Sequence, residues 1–271
     1  MNKKHTLHLI LSALLFSAVA AAQAGEASSA SRNLTGIVYT IDSDGQRIIQ
    51  PPSMTVTAVQ TDEYPVPVDS NVPAEVKAQM AQDMSFITTI RGGGATKLHS
   101  KIFGQVDGKT YSNYFTSHVK SVGLNSCGGA NSMAVACVIP FMDSSKMWIT
   151  KNYINFNHPQ IARLMVVFHE ARHTEAGNGN WPHATCPTPF EIDGHVVNSI
   201  WTGSSLAGEP ACDSTPLGAY GSSVVMLKNI EKFCSNCNGK VQADAGIYAN
   251  DQFKRVIDEK ARQDMFADLY Q

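Results

Sequence analysis

Ile161, Leu164, Met165 and Phe168 recur at intervals of three and four, the spacing that lines one face of an α-helix. Asn157-His158-Pro159 supplies the start of that helix, since proline fixes a helical φ and lacks an N–H that the first turn would leave unbonded. The pattern predicts a partly buried amphipathic helix running to about His173. Ahead of it, Ala134 to Phe141 and Lys146 to Phe156 read as two strands around the turn Met142-Asp143-Ser144-Ser145. Nearer the N-terminus, Leu34 to Ile41 and Met54 to Val59 carry β-branched, partly alternating runs, and Thr61 to Pro73 is proline-rich and linker-like. Pro73 to Ile90 has a helical pattern that Arg91-Gly92-Gly93-Gly94 breaks, and Thr110 to Val122 reads as a second helix. Downstream, Ala211 to Pro216 marks a helix start with Tyr220, Val224, Leu227 and Ile230 beneath it, and a final helix is expected within Asp244 to Leu269. The sum is an α+β chain with a small sheet, several helices and a helical C-terminal part.

The first residues follow a different logic. Lys3 and Lys4 precede an apolar run from Leu7 to Ala22 that closes on Ala22-Gln23-Ala24, the basic, apolar and small-residue order of a secretory signal peptide. The apolar portion is short for a membrane anchor, and no cysteine stands near the cleavage site to take a lipid. The expected organisation is a signal peptide over 1–24, an N-terminal extension or propeptide over 25–72, and a main domain over 73–271. Export to a bacterial periplasm or medium follows. Roughly 245 residues then remain, enough to bury a full core. Formal net charge is −2, with no basic block or aromatic-interleaved basic stripe, so nucleic acid is not an expected partner.

Export changes how the cysteines are read. All six fall in the second half, and an even count in an oxidising compartment favours disulfides over thiols. The simplest pairing is sequential, Cys127 with Cys137, Cys186 with Cys212 and Cys234 with Cys237, although the spacing does not decide among the alternatives. A nucleophilic Cys127 or a redox Cys234-Ser235-Asn236-Cys237 is the weaker reading, because no second C-x-x-C and no thioredoxin-like context accompanies them.

The chemistry concentrates at the end of the first-mentioned helix. His169 and His173 stand four apart, so their imidazoles share one face and can converge on one ion. Glu170 sits on the adjacent edge, able to reach a water on that ion without ligating it. This His-Glu-x-x-His arrangement resembles the zincin superfamily of zinc metallopeptidases over roughly thirty residues. The strand before the helix is also the zincin order. Arg172 and Glu175 depart from the resemblance, since zincins usually carry uncharged and apolar residues there. The two are three apart and either pair with each other or leave Glu175 to orient a histidine.

A catalytic zinc of this type takes a third protein ligand. The glycines and asparagines of Thr174 to Pro182 permit a reversal that returns His183 to the ion, with nine residues intervening where metzincins have about five. A glutamate on a later helix is the gluzincin solution, which keeps Glu191 open, with Asp193 and His195 behind it and Asp213 further on. His183 is favoured, and a Cys186–Cys212 bridge would pin its loop. The resemblance implies an exported Zn²⁺-dependent peptidase acting on protein or peptide, with Glu170 as general base and Tyr220, in Leu217-Gly218-Ala219-Tyr220-Gly221, as a candidate oxyanion donor or a plain core tyrosine. A zincin-like binding protein without hydrolysis, or a hydrolase of another amide such as cell-wall peptide, are the competing classes.

Overall fold

The computed structural model describes residues 39–41, 47–49, 63–129, 132–154 and 158–271. The expected signal peptide, its cleavage site and the strand at Met54 to Val59 lie outside the described residues. The chain divides into two units, Met1–Thr57 and Ala58–Gln271. In the first, β1 (Tyr39–Ile41) and β2 (Arg47–Ile49) pair antiparallel with Tyr39 opposite Ile49.

The second unit begins upstream of Pro73, where the domain was expected to start: Tyr64, Val66 and Val72 are buried in its core, and Val68 bridges to Val122. Helix α1 (Ala74–Thr89) then buries Val76, Met80, Met84 and Ile87, a near-perfect four-residue repeat. Thr96 and Asp107 accept backbone N–H groups at the starts of α2 (Lys97–Ile102) and α3 (Gly108–His118), satisfying donors that a first turn leaves unpaired. The helix expected to reach Val122 stops at His118. The β-branched stretch after it becomes β3 (Ser121–Leu124), whose Val122 lies beside Met147 in a parallel pair.

Strand β4 (Ala136–Ile139) runs through the short helix α4 (Pro140–Asp143) into β5 (Ser144–Ile149), and the sheet order is β3-β5-β4. β4 pairs antiparallel with β5, Cys137 opposite Trp148. The strand expected over Lys146 to Phe156 is cut at Ile149. Thr150 turns the chain by bonding its hydroxyl to the carbonyls of Ala134 and Val135 and accepting the Asn152 N–H, which starts α5 (Lys151–Ile154).

Helix α6 (Gln160–His173) carries the histidine motif and lies at the centre, not at the edge that an amphipathic pattern suggests. Eleven of its 14 residues are buried, including Ile161 and Leu164 on one side and Val166 and Val167 on others. A helix apolar on all faces is a core helix. A buried charge beside it is matched: Arg163 holds Asp83 of α1 through two hydrogen bonds of 2.6 and 2.7 Å. Phe168 packs into an aromatic cluster with Phe103, Tyr111, Tyr114 and Phe115, which fixes the helix rotation just ahead of His169.

After α6 come a 3₁₀ turn (Ala176–Asn178) and an exposed hairpin of β6 (Glu191–Ile192) and β7 (His195–Val196) over its own small core of Cys186, Phe190, Val197, Leu206 and Cys212. Helix α7 (Ala219–Phe233) packs on α6 and on α8 (Gly239–Phe253), and α9 (Glu259–Leu269) follows. The single final helix expected within Asp244 to Leu269 is thus two. Val256 bridges to Asp213, and the Asp258 side chain caps α9 by accepting the Ala261 N–H. The six cysteines form Cys127–Cys137, Cys186–Cys212 and Cys234–Cys237, a set that suits an exported protein. Among the described residues no helix is long and apolar enough to cross a membrane.

Candidate metal centre

The last turn of α6 presents His169 and His173 on one face, and their Nε2 atoms are 3.3 Å apart. His183 reaches the same point from the returning loop, its Nε2 at 3.3 Å from that of His169 and 3.1 Å from that of His173. Three ligands of a tetrahedral ion bound at ~2.0–2.1 Å stand about 3.3–3.4 Å from one another, so the triangle has the size of such an ion's ligand set.

The loop is built to bring His183 back. Gly179, Asn180 and Trp181 all take positive φ, at 67°, 62° and 44°. Two of these are not glycine, and that conformation is uncommon for a side chain of tryptophan's size. Glu175 holds it: one carboxylate oxygen accepts from Asn178 and from the Trp181 indole at 2.7 and 2.8 Å, the other from the Tyr114 hydroxyl and from Arg172. Arg172 in turn lies over the Trp181 ring and bonds the Leu217 carbonyl. The two charged residues that depart from the zincin pattern therefore pair with each other and fasten the loop, and the Glu175 hydrogen bonds go to none of the three clustered histidines. Beyond His183, Ala184 and Cys212 exchange backbone hydrogen bonds of 2.7 and 3.1 Å, and the Cys186–Cys212 bridge closes the same segment.

The far nitrogen of each ring decides what the near one can do. His173 Nδ1 is 2.9 Å from the Asn180 carbonyl, which only accepts, so the ring donates there and keeps a lone pair on Nε2. His183 Nδ1 is 3.1 Å from Asp213 Oδ1, with the same consequence. With both rings neutral, two lone pairs face each other at 3.1 Å, an arrangement that a cation between them relieves. Burial first, then the neighbouring His183, pulls His173 down to about 4, and burial and the other two rings hold His169 well below the ordinary value.

Asp213, earlier a possible ligand, stands one step back from the triangle. It is 2% exposed; its Oδ1 faces His183, and its Oδ2 accepts the Tyr220 and Gly221 N–H groups at 2.7 and 3.1 Å, the first turn of α7. The positive end of a helix therefore steadies the carboxylate that steadies the ring. Gly218 is required for this approach, since a Cβ there would meet Asp213 Oδ2 at 2.4 Å. Tyr220 stacks on His183 and meets His169 edge-on, both with ring centroids 4.5 Å apart, so its ring packs the two imidazoles in place. Asp213→Asn, which keeps the shape and removes the charge, is expected to weaken zinc binding about 10–100-fold in competition against a chromophoric chelator. Unchanged affinity would show that the Asp213–His183 contact does not tune the ring.

Glu170 is 4% exposed beside the histidines, and its Oε2 has no hydrogen-bond partner. Leaving a buried acceptor unmatched costs about 1–3 kcal/mol. Burial alone pushes this carboxyl up to about 8. Glu170 and the three histidines line one cleft of about 830 Å³, with apolar walls from Met133, Val135, Val138 and Trp201. Glu191, Asp193 and His195, the other candidate ligands, are exposed on the β6–β7 hairpin, and among the described residues the only cluster of metal-binding type is His169, His173 and His183. Sequence reasoning missed the ring-steadying role of Asp213 and missed Asn180 altogether. The Asn-Gly-Asn run of 178–180 marks a tight turn, but nothing in it says which carbonyl will meet His173. No family model, curated protein or solved structure matches the chain.

Proposed function

We propose that this protein is a zincin-type zinc metallopeptidase that hydrolyses peptide bonds outside the cytoplasm, with His169, His173 and His183 as zinc ligands and Glu170 as general base. The observation that carries this reading is the triangle of His169, His173 and His183 Nε2 atoms 3.1–3.3 Å apart, set beside a buried carboxyl oxygen with no partner. Zn²⁺ held by three imidazoles supplies a divalent charge that polarises the scissile carbonyl, lowers the pKa of water toward ~7 and draws the neighbouring carboxyl into its ionised form. Glu170 takes the proton of the attacking water on Oε2 and delivers it to the departing amine nitrogen. The apolar walls of the cleft keep bulk water from competing with that transfer. β4 forms the outer edge of its sheet and borders the cleft, and an extended peptide laid along such an edge gains backbone hydrogen bonds whatever its sequence.

The test is hydrolysis by the zinc-loaded chain of a mixture of quenched fluorescent peptides. Cleavage should stop on addition of 1,10-phenanthroline and return with zinc. A zinc-loaded chain that cuts nothing in the mixture contradicts the peptidase reading and leaves a metal-binding protein.

A further inference from the structure

A second unmatched polar group borders the same cleft. Arg255 lies in the bend between α8 and α9 and is 5% exposed; its guanidinium hydrogen-bonds the Tyr220 side chain but has no hydrogen-bond partner on Nε or Nη2. Two other arginines beside the core, Arg163 and Arg172, each hold a carboxylate, Asp83 and Glu175. Arg255 forms no such ion pair among the described residues. Asp251 is near enough to feel its charge, but that carboxylate accepts from Gln252 instead.

Its position is fixed relative to the histidines. The Arg255 carbonyl accepts the Asp213 N–H at 2.8 Å, and the Asp213 carbonyl accepts the Ile257 N–H at 2.8 Å. The bend that splits the C-terminal helix is therefore strapped to the residue that orients His183. The guanidinium carbon lies 4.6 Å from the centre of the Tyr220 ring, which itself touches His169 and His183. A buried cation that no carboxylate hydrogen-bonds is expensive to keep, and a guanidinium offers a planar fork of donors that matches the two oxygens of a carboxylate.

We propose that Arg255 is a recognition group for a substrate carboxylate, so that peptides carrying one close to the scissile bond are preferred. The word substrate rests on the peptidase reading; the carboxylate site itself does not. The carboxylate is either the peptide's C-terminus or an Asp or Glu side chain, and the probes separate these.

Calorimetry on the full mature chain carrying E170Q, which stops turnover, uses acetyl-Phe-Leu as the free acid, the same dipeptide as its C-terminal amide, and acetyl-Phe-Glu amide. At least one of the two carboxylate peptides should bind about tenfold or more tighter than acetyl-Phe-Leu amide. The free acid being the tighter assigns the site to a C-terminus, and the Glu amide being the tighter assigns it to a side chain. R255Q should abolish the preference, and R255K, which keeps a charge but not the fork, should retain only part of it. Equal binding of all three peptides to the chain with Arg255 intact overturns the proposal, and this arm needs no Arg255 variant to fold. A preference that survives R255Q also overturns it, and its disappearance on stripping the zinc would place the carboxylate on the metal. Because the readout is binding, absence of hydrolysis leaves this test standing, and loss of the preference leaves the hydrolytic reading standing.

Discussion

Glu170→Gln is expected to lower peptide hydrolysis by about 10²–10⁴-fold, the usual contribution of a positioned general base, while the chain keeps its zinc. The side chain lines the cleft, is buried beside the triad and leaves one oxygen without a partner. An amide of the same shape fills the same space and removes only the ability to hold a proton. The fold should not suffer, because burial already disfavours the charged form of this carboxyl, pushing it up to about 8. Steady-state kinetics with a zinc assay on the same sample checks both halves. Activity that survives would remove Glu170 from the mechanism; zinc lost along with activity would make it a ligand.

His183→Ala should weaken zinc binding by more than the about 10–100-fold that loss of an outer partner costs, since it removes a ligand outright. His195→Ala and Glu191→Ala should leave the affinity unchanged, because both residues sit exposed on the β6–β7 hairpin. Chelator competition across the three variants gives the comparison. Zinc retained by His183→Ala and lost by His195→Ala or Glu191→Ala would reassign the third ligand.

Much of this centre was legible in the sequence because its parts are local. His169, Glu170 and His173 share one helical turn, so spacing alone sets their common face. His183 follows a glycine- and asparagine-rich reversal, and the short return leaves few other places for it. Disulfide order was also readable from nearest neighbours. Other features depend on distant partners. α6 was expected to be only partly buried, yet α1, α3, α7, α8 and the sheet all pack on it, and no local period reports how many elements will surround a helix. The break between α8 and α9 was invisible because its cause is a backbone pairing with Asp213, more than forty residues earlier. Arg255 was invisible for the same reason: in sequence it is one arginine in a helical stretch, and only the bend sets it beside Tyr220.

The most direct test of the central claim is X-ray absorption at the zinc edge on the purified chain reconstituted with zinc. Three imidazole nitrogens and one light oxygen ligand at about 2.0–2.1 Å, with no sulfur, is the predicted first shell, and His183→Ala should reduce the imidazole count to two. A shell with two imidazoles and a carboxylate in the unaltered chain, or no tightly held zinc at all, would contradict the three-histidine centre on which the proposed hydrolysis depends.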